Sequence, residues 1–307
     1  MSFTNYKNFW DAKASTTIGA MAAVDGSMEE SVVQATGRYT AEQVHTALAL
    51  TPTDRVLELG CGVGRIGLFL APRIAHWHGV DISDNMIGVA RQRLAALPNV
   101  GFDLLDRSSL VMLPDASFDA AYSIAVFIHM DKEDLFLYLR ELRRILKPGG
   151  RLFFDTWNLA HPVGFRRFDF EVQTYARAEP GQRKDVARNQ FSTPQEIQIY
   201  LEQAGFTIGQ LMFNSPWVQA LAIVKPDAAA LGIERQRILD ALDRIAYPET
   251  WTTFFSDILD ILNAGVHPRG LLERLRQSPP SREREVFIPW LEGMWRQLEA
   301  QWGPLPA

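Results

Sequence analysis

Val56-Leu57-Glu58-Leu59-Gly60-Cys61-Gly62-Val63-Gly64-Arg65 reads as an apolar strand that runs into a glycine-rich turn and on toward a helix. Glycine lacks the Cβ that disfavours left-handed backbone, so glycines at positions 60, 62 and 64 let the chain turn tightly and approach a ligand closely. Open α/β sheets take up nucleoside-like ligands at such a strand end. Gly62, Gly64 and Gly67, with Asp81 downstream, also satisfy G-x-G-x-x-G, the spacing of a dinucleotide site. Charge argues against a dinucleotide, because Glu58 would face its pyrophosphate with like charge in a partly desolvated cleft. Register agrees: the first glycine after the strand is Gly60, and counting the fingerprint from there puts Arg65 where the third glycine belongs. S-adenosylmethionine brings an ammonium and a sulfonium and no phosphate, and toward it Glu58 becomes attractive.

Outward from this loop, Asp54 to Phe213 alternates short β-rich runs with longer helical ones, the pattern of a parallel sheet covered by helices on both faces. The strands are read at Arg55–Leu59, His76–Ile82, Val100–Leu105, Phe118–Ile124, Arg151–Thr156, Phe206–Phe213 and Trp217–Val224. Only Asn214, Ser215 and Pro216 separate the last two, too few for a helical crossover, so they form an antiparallel hairpin. The expected fold is α/β: a Rossmann-like, seven-stranded, mostly parallel sheet with a terminal antiparallel hairpin strand and a C-terminal helical extension. Helices are expected at Asp84–Leu97, opening on an acidic N-cap, and at Lys132–Leu146, stopped by Lys147-Pro148-Gly149-Gly150. A third starts at Thr193-Pro194-Gln195-Glu196 and ends at Gly205. After Lys225-Pro226 the period becomes helical, with Trp251, Phe254, Phe255, Ile258, Leu259 and Leu262 on one stripe. The expected organisation is residues 1–225 as the α/β unit and 226–307 as the extension. Within the first unit, 1–50 form an N-terminal helical cap and 157–191 a lid-like insertion.

Composition narrows the function classes. The chain has 307 residues, 47% of them hydrophobic, which is enough apolar material for a real core. A formal net charge of −5 disfavours broad binding to nucleic-acid phosphates, so a small-molecule partner is expected. The lone cysteine, Cys61, excludes an internal disulfide framework and a multi-cysteine zinc site, and fits a reducing, cytoplasmic setting. Neither Met1–Lys13 nor Ile18–Val24 has the pattern of a signal or a span, so no membrane association is expected. His76 and His78 share one face of a strand without a third ligand, and no metal is expected.

The chain resembles the class I S-adenosylmethionine-dependent methyltransferases, in particular bacterial small-molecule methyltransferases, over about residues 30–224. The resemblance is carried by the E-x-G-C-G-x-G loop Glu58–Gly64, by Gly79-Val80-Asp81-Ile82-Ser83 followed by Met86, and by Leu105-Asp106-Arg107. Leu113-Pro114-Asp115-Ala116-Ser117-Phe118-Asp119, Leu146-Lys147-Pro148-Gly149-Gly150 and Ala204-Gly205-Phe206 add to it. It implies S-adenosylmethionine as cofactor. Asp81 would accept both ribose hydroxyls, Met86 would wall the adenine, and Asp106 with the Arg107 backbone would lie near the adenine amino group. Gly60 and Gly62 would pass under the methionine portion, Glu58 would orient its ammonium, and Cys61, Gly64, Ile82 and Ser123 complete the expected cofactor site. His129, just past the fourth strand, is the candidate general base for a hydroxyl acceptor, with a structural role at the following helix as the alternative. An amine acceptor would need no base.

The expected reaction is methyl transfer to an O or N atom of a small molecule. Other chemistry on the same cofactor, or a non-catalytic cofactor-binding scaffold, are the alternatives. The extension, with Trp290 and Trp295, is expected either to dock beside the 157–191 insertion and partly close the acceptor cleft or to form a homodimer interface.

Overall fold

The structure, a computed structural model, describes residues 3–106, 108–179 and 189–306, with side chains from residue 6 onward. β1 (Arg55–Leu59), β2 (His76–Asp81), β3 (Val100–Leu104), β4 (Phe118–Ser123), β5 (Leu146–Asn158), β7 (Phe206–Met212) and β8 (Trp217–Val224) form one sheet in the order β3-β2-β1-β4-β5-β8-β7. β8 runs antiparallel to both neighbours, pairing Phe153 with Leu221 on one side and Thr207 with Ile223 on the other. The short 214–216 connection leaves it no other option. All other main pairings are parallel, and residues 56–59 of β1 are buried, as a strand covered on both faces requires.

Beyond shifts of one or two residues at strand ends, three features differ from the sequence reading. β5 begins at Leu146, because α6 (Lys132–Ile145) stops one residue earlier and pairing with β4 jumps from Phe118–Leu146 to Ala120–Arg151. Residues 147–150 form a bulge in that jump, with Gly149 at φ 77°, and Lys147 Nζ reaches Asp119 Oδ1 at 2.6 Å. α5 (Asp84–Arg93) is shorter than expected and is capped by Ser83, whose Oγ accepts from Met86 N at 3.2 Å. Asp84 is its first helical residue and not the cap. The 157–191 stretch contributes α7 (Pro162–Tyr175) and an eighth strand, β6 (Phe191–Ser192), paired in parallel with the end of β5. That strand is too short for any periodicity to reveal. α8 (Pro194–Gln203) starts with the expected capping box between Thr193 and Glu196.

One face of the sheet packs against α6 and α8 through residues such as Leu139, Leu142, Ile197 and Leu201, all fully buried. The other is covered by α3 (Glu30–Ala47), α4 (Gly67–Leu70), α5, α9 (Ala228–Leu239) and α10 (Leu242–Ile245), around the buried Trp77 and Tyr122. α11 (Glu249–Ala264), α12 (Arg269–Gln277), α13 (Arg284–Gln297) and α14 (Glu299–Trp302) build a third cluster around Trp295. Tyr39 of α3 belongs to that cluster, and α13 and α10 both pack on α3. α1 (Phe3–Lys13) and α2 (Thr17–Asp25) lie across the C-terminal ends of the strands: Asp11 accepts from Ser83 Oγ at 2.7 Å, and Tyr6 Oη accepts from Asp131 N at 3.0 Å. Among the described residues no helix is long and apolar enough to cross a membrane.

Candidate functional site

A cavity of about 560 Å³ opens at the C-terminal ends of β1, β2, β4 and β5, within the ~300–1,000 Å³ usual for small-molecule sites. Its floor is the glycine turn. Gly60 and Cys61 donate their N–H groups to Val80 O at 2.8 and 3.0 Å, and Gly60 and Gly62 take φ of 74° and 50°. A Cβ on Gly60 would lie 2.4 Å from Val126 Cγ2, and one on Gly62 would lie 2.7 Å from Val24 Cγ1. Both glycines are therefore required by space as well as by backbone. Gly64, at φ 70°, is not part of the lining: its Cβ would lie 2.7 Å from Leu94 Cδ1, just past α5, and 3.3 Å from Ala90 Cβ within it, so it serves helix packing.

Asp81 ends β2 and lines the cavity. Its Oδ2 accepts from Gly62 N at 2.8 Å and its Oδ1 from Ser83 N at 2.9 Å. Each oxygen keeps one lone pair for a ligand hydroxyl. Burial raises the Asp81 pKa, and the backbone N–H bonds oppose that rise. Glu58, 3% exposed, accepts from Tyr122 Oη at 2.6 Å, and Tyr122 in turn accepts from Trp77 Nε1 at 3.0 Å. Desolvation pushes Glu58 up to about 8, so in the ligand-free protein at neutral pH this carboxyl holds a proton. The permanent negative charge read from the sequence is thus conditional on what binds beside it.

Ile82 and Met86 line the cavity. Asp106 is exposed and lies outside the lining, and Arg107 lies outside the described residues. Ser123 corrects the sequence reading: its hydroxyl donates to Leu59 O at 3.1 Å, where it ties β4 to β1, and it does not face the cavity. His129 lines the cavity at the end of a short turn after β4, with its ring 4.9 Å from that of Trp10. Burial lowers its pKa to about 4, and Nδ1 has no hydrogen-bond partner among the described residues.

Of the further lining residues, Asp25, Arg65 and Asn189 had no site role in the sequence reading. Arg65 donates to Thr40 Oγ1 at 3.2 Å. Asp25 is pushed up to about 6 by burial, opposed by Arg65, and its Oδ2 has no hydrogen-bond partner among the described residues. Trp290 of α13 donates to Asp25 O at 2.9 Å, and Phe255 of α11 also reaches the lining. Trp157, Arg167 and Asn189 complete the far wall. No local pattern points to contacts such as Trp290 with Asp25, which only the packed fold creates.

Residues 56–150 match the family model described as a methyltransferase domain. That stretch, from β1 to the first residues of β5, is the part of the chain that resembles a methyltransferase domain. Methyltransferase GfsG of Streptomyces halstedii is 38% identical over 120 residues, 38% of this chain and 42% of the relative. O-methyltransferase resE of Aspergillus sclerotiorum is 36% identical over 135 residues, 42% of this chain and 48% of the relative. The match therefore spans less than half of each of these two relatives. The structure of magnesium protoporphyrin IX methyltransferase from Synechocystis PCC 6803 with bound SAH superposes with a TM-score of 0.54 at 19% identity, over 72% of this chain and 99% of that one. That likeness shows the fold, and residues 56–150 span β1 to the first residues of β5, with the glycine turn among them.

Proposed function

We propose that the protein is an S-adenosylmethionine-dependent methyltransferase acting on an O or N atom of a small molecule. The observation that carries this is Asp81, a carboxylate at the end of β2 fixed by two backbone N–H groups over the Gly60–Gly62 turn. The donor set fits the cofactor. Four carboxyl groups, Asp25, Glu58, Asp81 and Asp134, line the cavity, which suits a ligand with two cationic centres and a diol. When bound, S-adenosylmethionine supplies an electrophilic methyl on sulfur. Asp81 would hold the ribose, Met86 and Ile82 the base, and Glu58 the ammonium. The helices around the cavity exclude water from the acceptor. Residues 1–225 would form the catalytic unit and 226–307 would complete the acceptor side, through Phe255 and Trp290.

Calorimetry with S-adenosylmethionine, followed by transfer of a labelled methyl group to metabolites of a cell extract, tests the reading. Absence of cofactor binding overturns it. Asp81→Ala should weaken binding by about 1.5–3 kcal/mol, an order of magnitude or more in Kd. Equal affinity of variant and parent would remove Asp81 from the site. Glu58 gives a second, independent signal. A cationic ligand beside it draws its pKa down from about 8, so binding at neutral pH releases a proton. Titrations in buffers of different ionisation enthalpy should show that proton, and Glu58→Gln should abolish it.

A further inference from the structure

β4 pairs with β5 as far as Ser123 opposite Phe154, and beyond that point a side chain takes over: Ala125 N donates to Asp155 Oδ1 at 2.7 Å. Ala125 has φ 58°, left-handed backbone that disfavours any residue with a Cβ. Among the described residues, Ala49, Ala116, Ala125 and Lys225 are the non-glycine positions with such backbone, and of these Ala125 alone lines the cavity. A residue held in a sparsely populated conformation persists only where its surroundings impose it. The turn that begins there brings Val126, Ile128 and His129 to the lining as well. Val126 lies directly on Gly60 of the glycine turn, where a Cβ would sit 2.4 Å from Val126 Cγ2.

Asp155 is itself held from the other side. Its Oδ2 accepts from Tyr247 Oη at 3.3 Å, and Tyr247 N donates at 2.9 Å to Oε1 of Gln219, the residue opposite Asp155 across β5 and β8. The Tyr247 ring lies 4.8 Å from Trp217 and 5.2 Å from Trp251, which fixes where its hydroxyl points. Burial raises the Asp155 pKa to about 6, and the bonds from Ala125 N and Tyr247 Oη oppose the rise, so at neutral pH it is a carboxylate that accepts from both. Resting on the cofactor reading above, we infer that Asp155 is a positioning residue: it holds the turn after β4 in the shape that receives S-adenosylmethionine, and Tyr247 of the extension holds Asp155. Without the carboxylate, Ala125 relaxes to ordinary backbone most of the time, and the ligand binds only the minority of chains still bent.

The test is a cycle of variants of the full chain, titrated with S-adenosylhomocysteine by calorimetry. Asp155→Ala should weaken binding about tenfold. In a chain that already carries Ala125→Gly, the same substitution should weaken it by about threefold or less, because glycine takes left-handed backbone without an anchor. Loss of a buried carboxylate that served only stability would weaken both backgrounds alike. Asp155→Asn keeps an acceptor for Ala125 N and should stay within about threefold of the parent. Tyr247→Phe keeps the ring, removes one bond and should weaken binding about threefold, again only while Ala125 is present. Where Asp155→Ala does not fold, Tyr247→Phe carries the same comparison. Equal loss with and without Ala125→Gly, or no loss, overturns the inference and leaves methyl transfer standing. A parent chain that does not bind S-adenosylhomocysteine overturns both.

Discussion

His129→Ala is expected to lower turnover of a hydroxyl acceptor by about 10²–10⁴-fold while S-adenosylmethionine affinity stays unchanged. The imidazole lines the cavity, its Nδ1 has no hydrogen-bond partner among the described residues, and burial holds its pKa at about 4, against 6.5 for an ordinary histidine. A base that weak cannot strip a resting hydroxyl. As the oxygen–carbon bond forms, however, the acceptor oxygen acidifies steeply, and proton transfer to a neutral imidazole becomes downhill late in the step. The pH dependence follows from the same burial. His129 stays neutral well below pH 6.5, so the acid limb of its rate profile lies near pH 4. For stability the folded pKa lies below the unfolded one, so the contribution is complete above about pH 6.5 and is lost as pH falls toward 4. The alanine variant should lose that slope in a denaturation series. Turnover equal to the parent's would reduce His129 to a structural residue and favour an amine acceptor.

The strands were legible because each is a short apolar run bounded by polar or glycine-rich turns, and the 214–216 linker dictated the hairpin by length alone. The glycine turn and Asp81 were legible because backbone chemistry restricts which residues can occupy such positions. Ser123 shows where that reasoning stops. A serine at a strand end looks available, yet its hydroxyl is used by Leu59 O in the neighbouring strand, a pairing that sequence spacing does not encode. Arg65 was read only as an exception to a glycine pattern, although its side chain enters the cavity beside Thr40 of α3. The cover was harder still. Asp11 reaching Ser83, and Trp290 reaching Asp25, join residues that have no periodic relation in sequence, and only packing brings them together. The stripe on α11 gave its buried face at Phe254, Ile258 and Leu259 but not its end, since Leu262 is 48% exposed.

Deleting residues 227–307 is expected to leave a chain that aggregates, as read by size exclusion with light scattering. The extension supplies interior and not a separate module. Tyr247 Oη donates to Asp155 Oδ2 at 3.3 Å, Gln43 Nε2 donates to Ile245 O at 2.7 Å, and Gln219 both accepts from Tyr247 N and donates to Ile245 O. Asp155, Gln43 and Gln219 are each at most 3% exposed. Without the extension Gln43 and Gln219 lose these partners and Asp155 keeps only its bond from Ala125 N, at about 1–3 kcal/mol for each group. Ile238, Ala241 and Ile245 are also lost from the core on the α3 side of the sheet, and Tyr39 loses its cluster. Together these losses reach the ~5–15 kcal/mol that holds a domain folded. Trp290→Ala separates folding from site closure. It removes one cavity wall and the bond to Asp25 O but leaves Tyr247 and Ile245 in place, so the variant should fold, keep most cofactor affinity and bind the acceptor more weakly. A truncated chain that is monodisperse, and turns over acceptor as well as the full chain, would show instead that the sheet and α3 close the site alone. The aromatic cluster around Trp295 would then need a partner other than this domain.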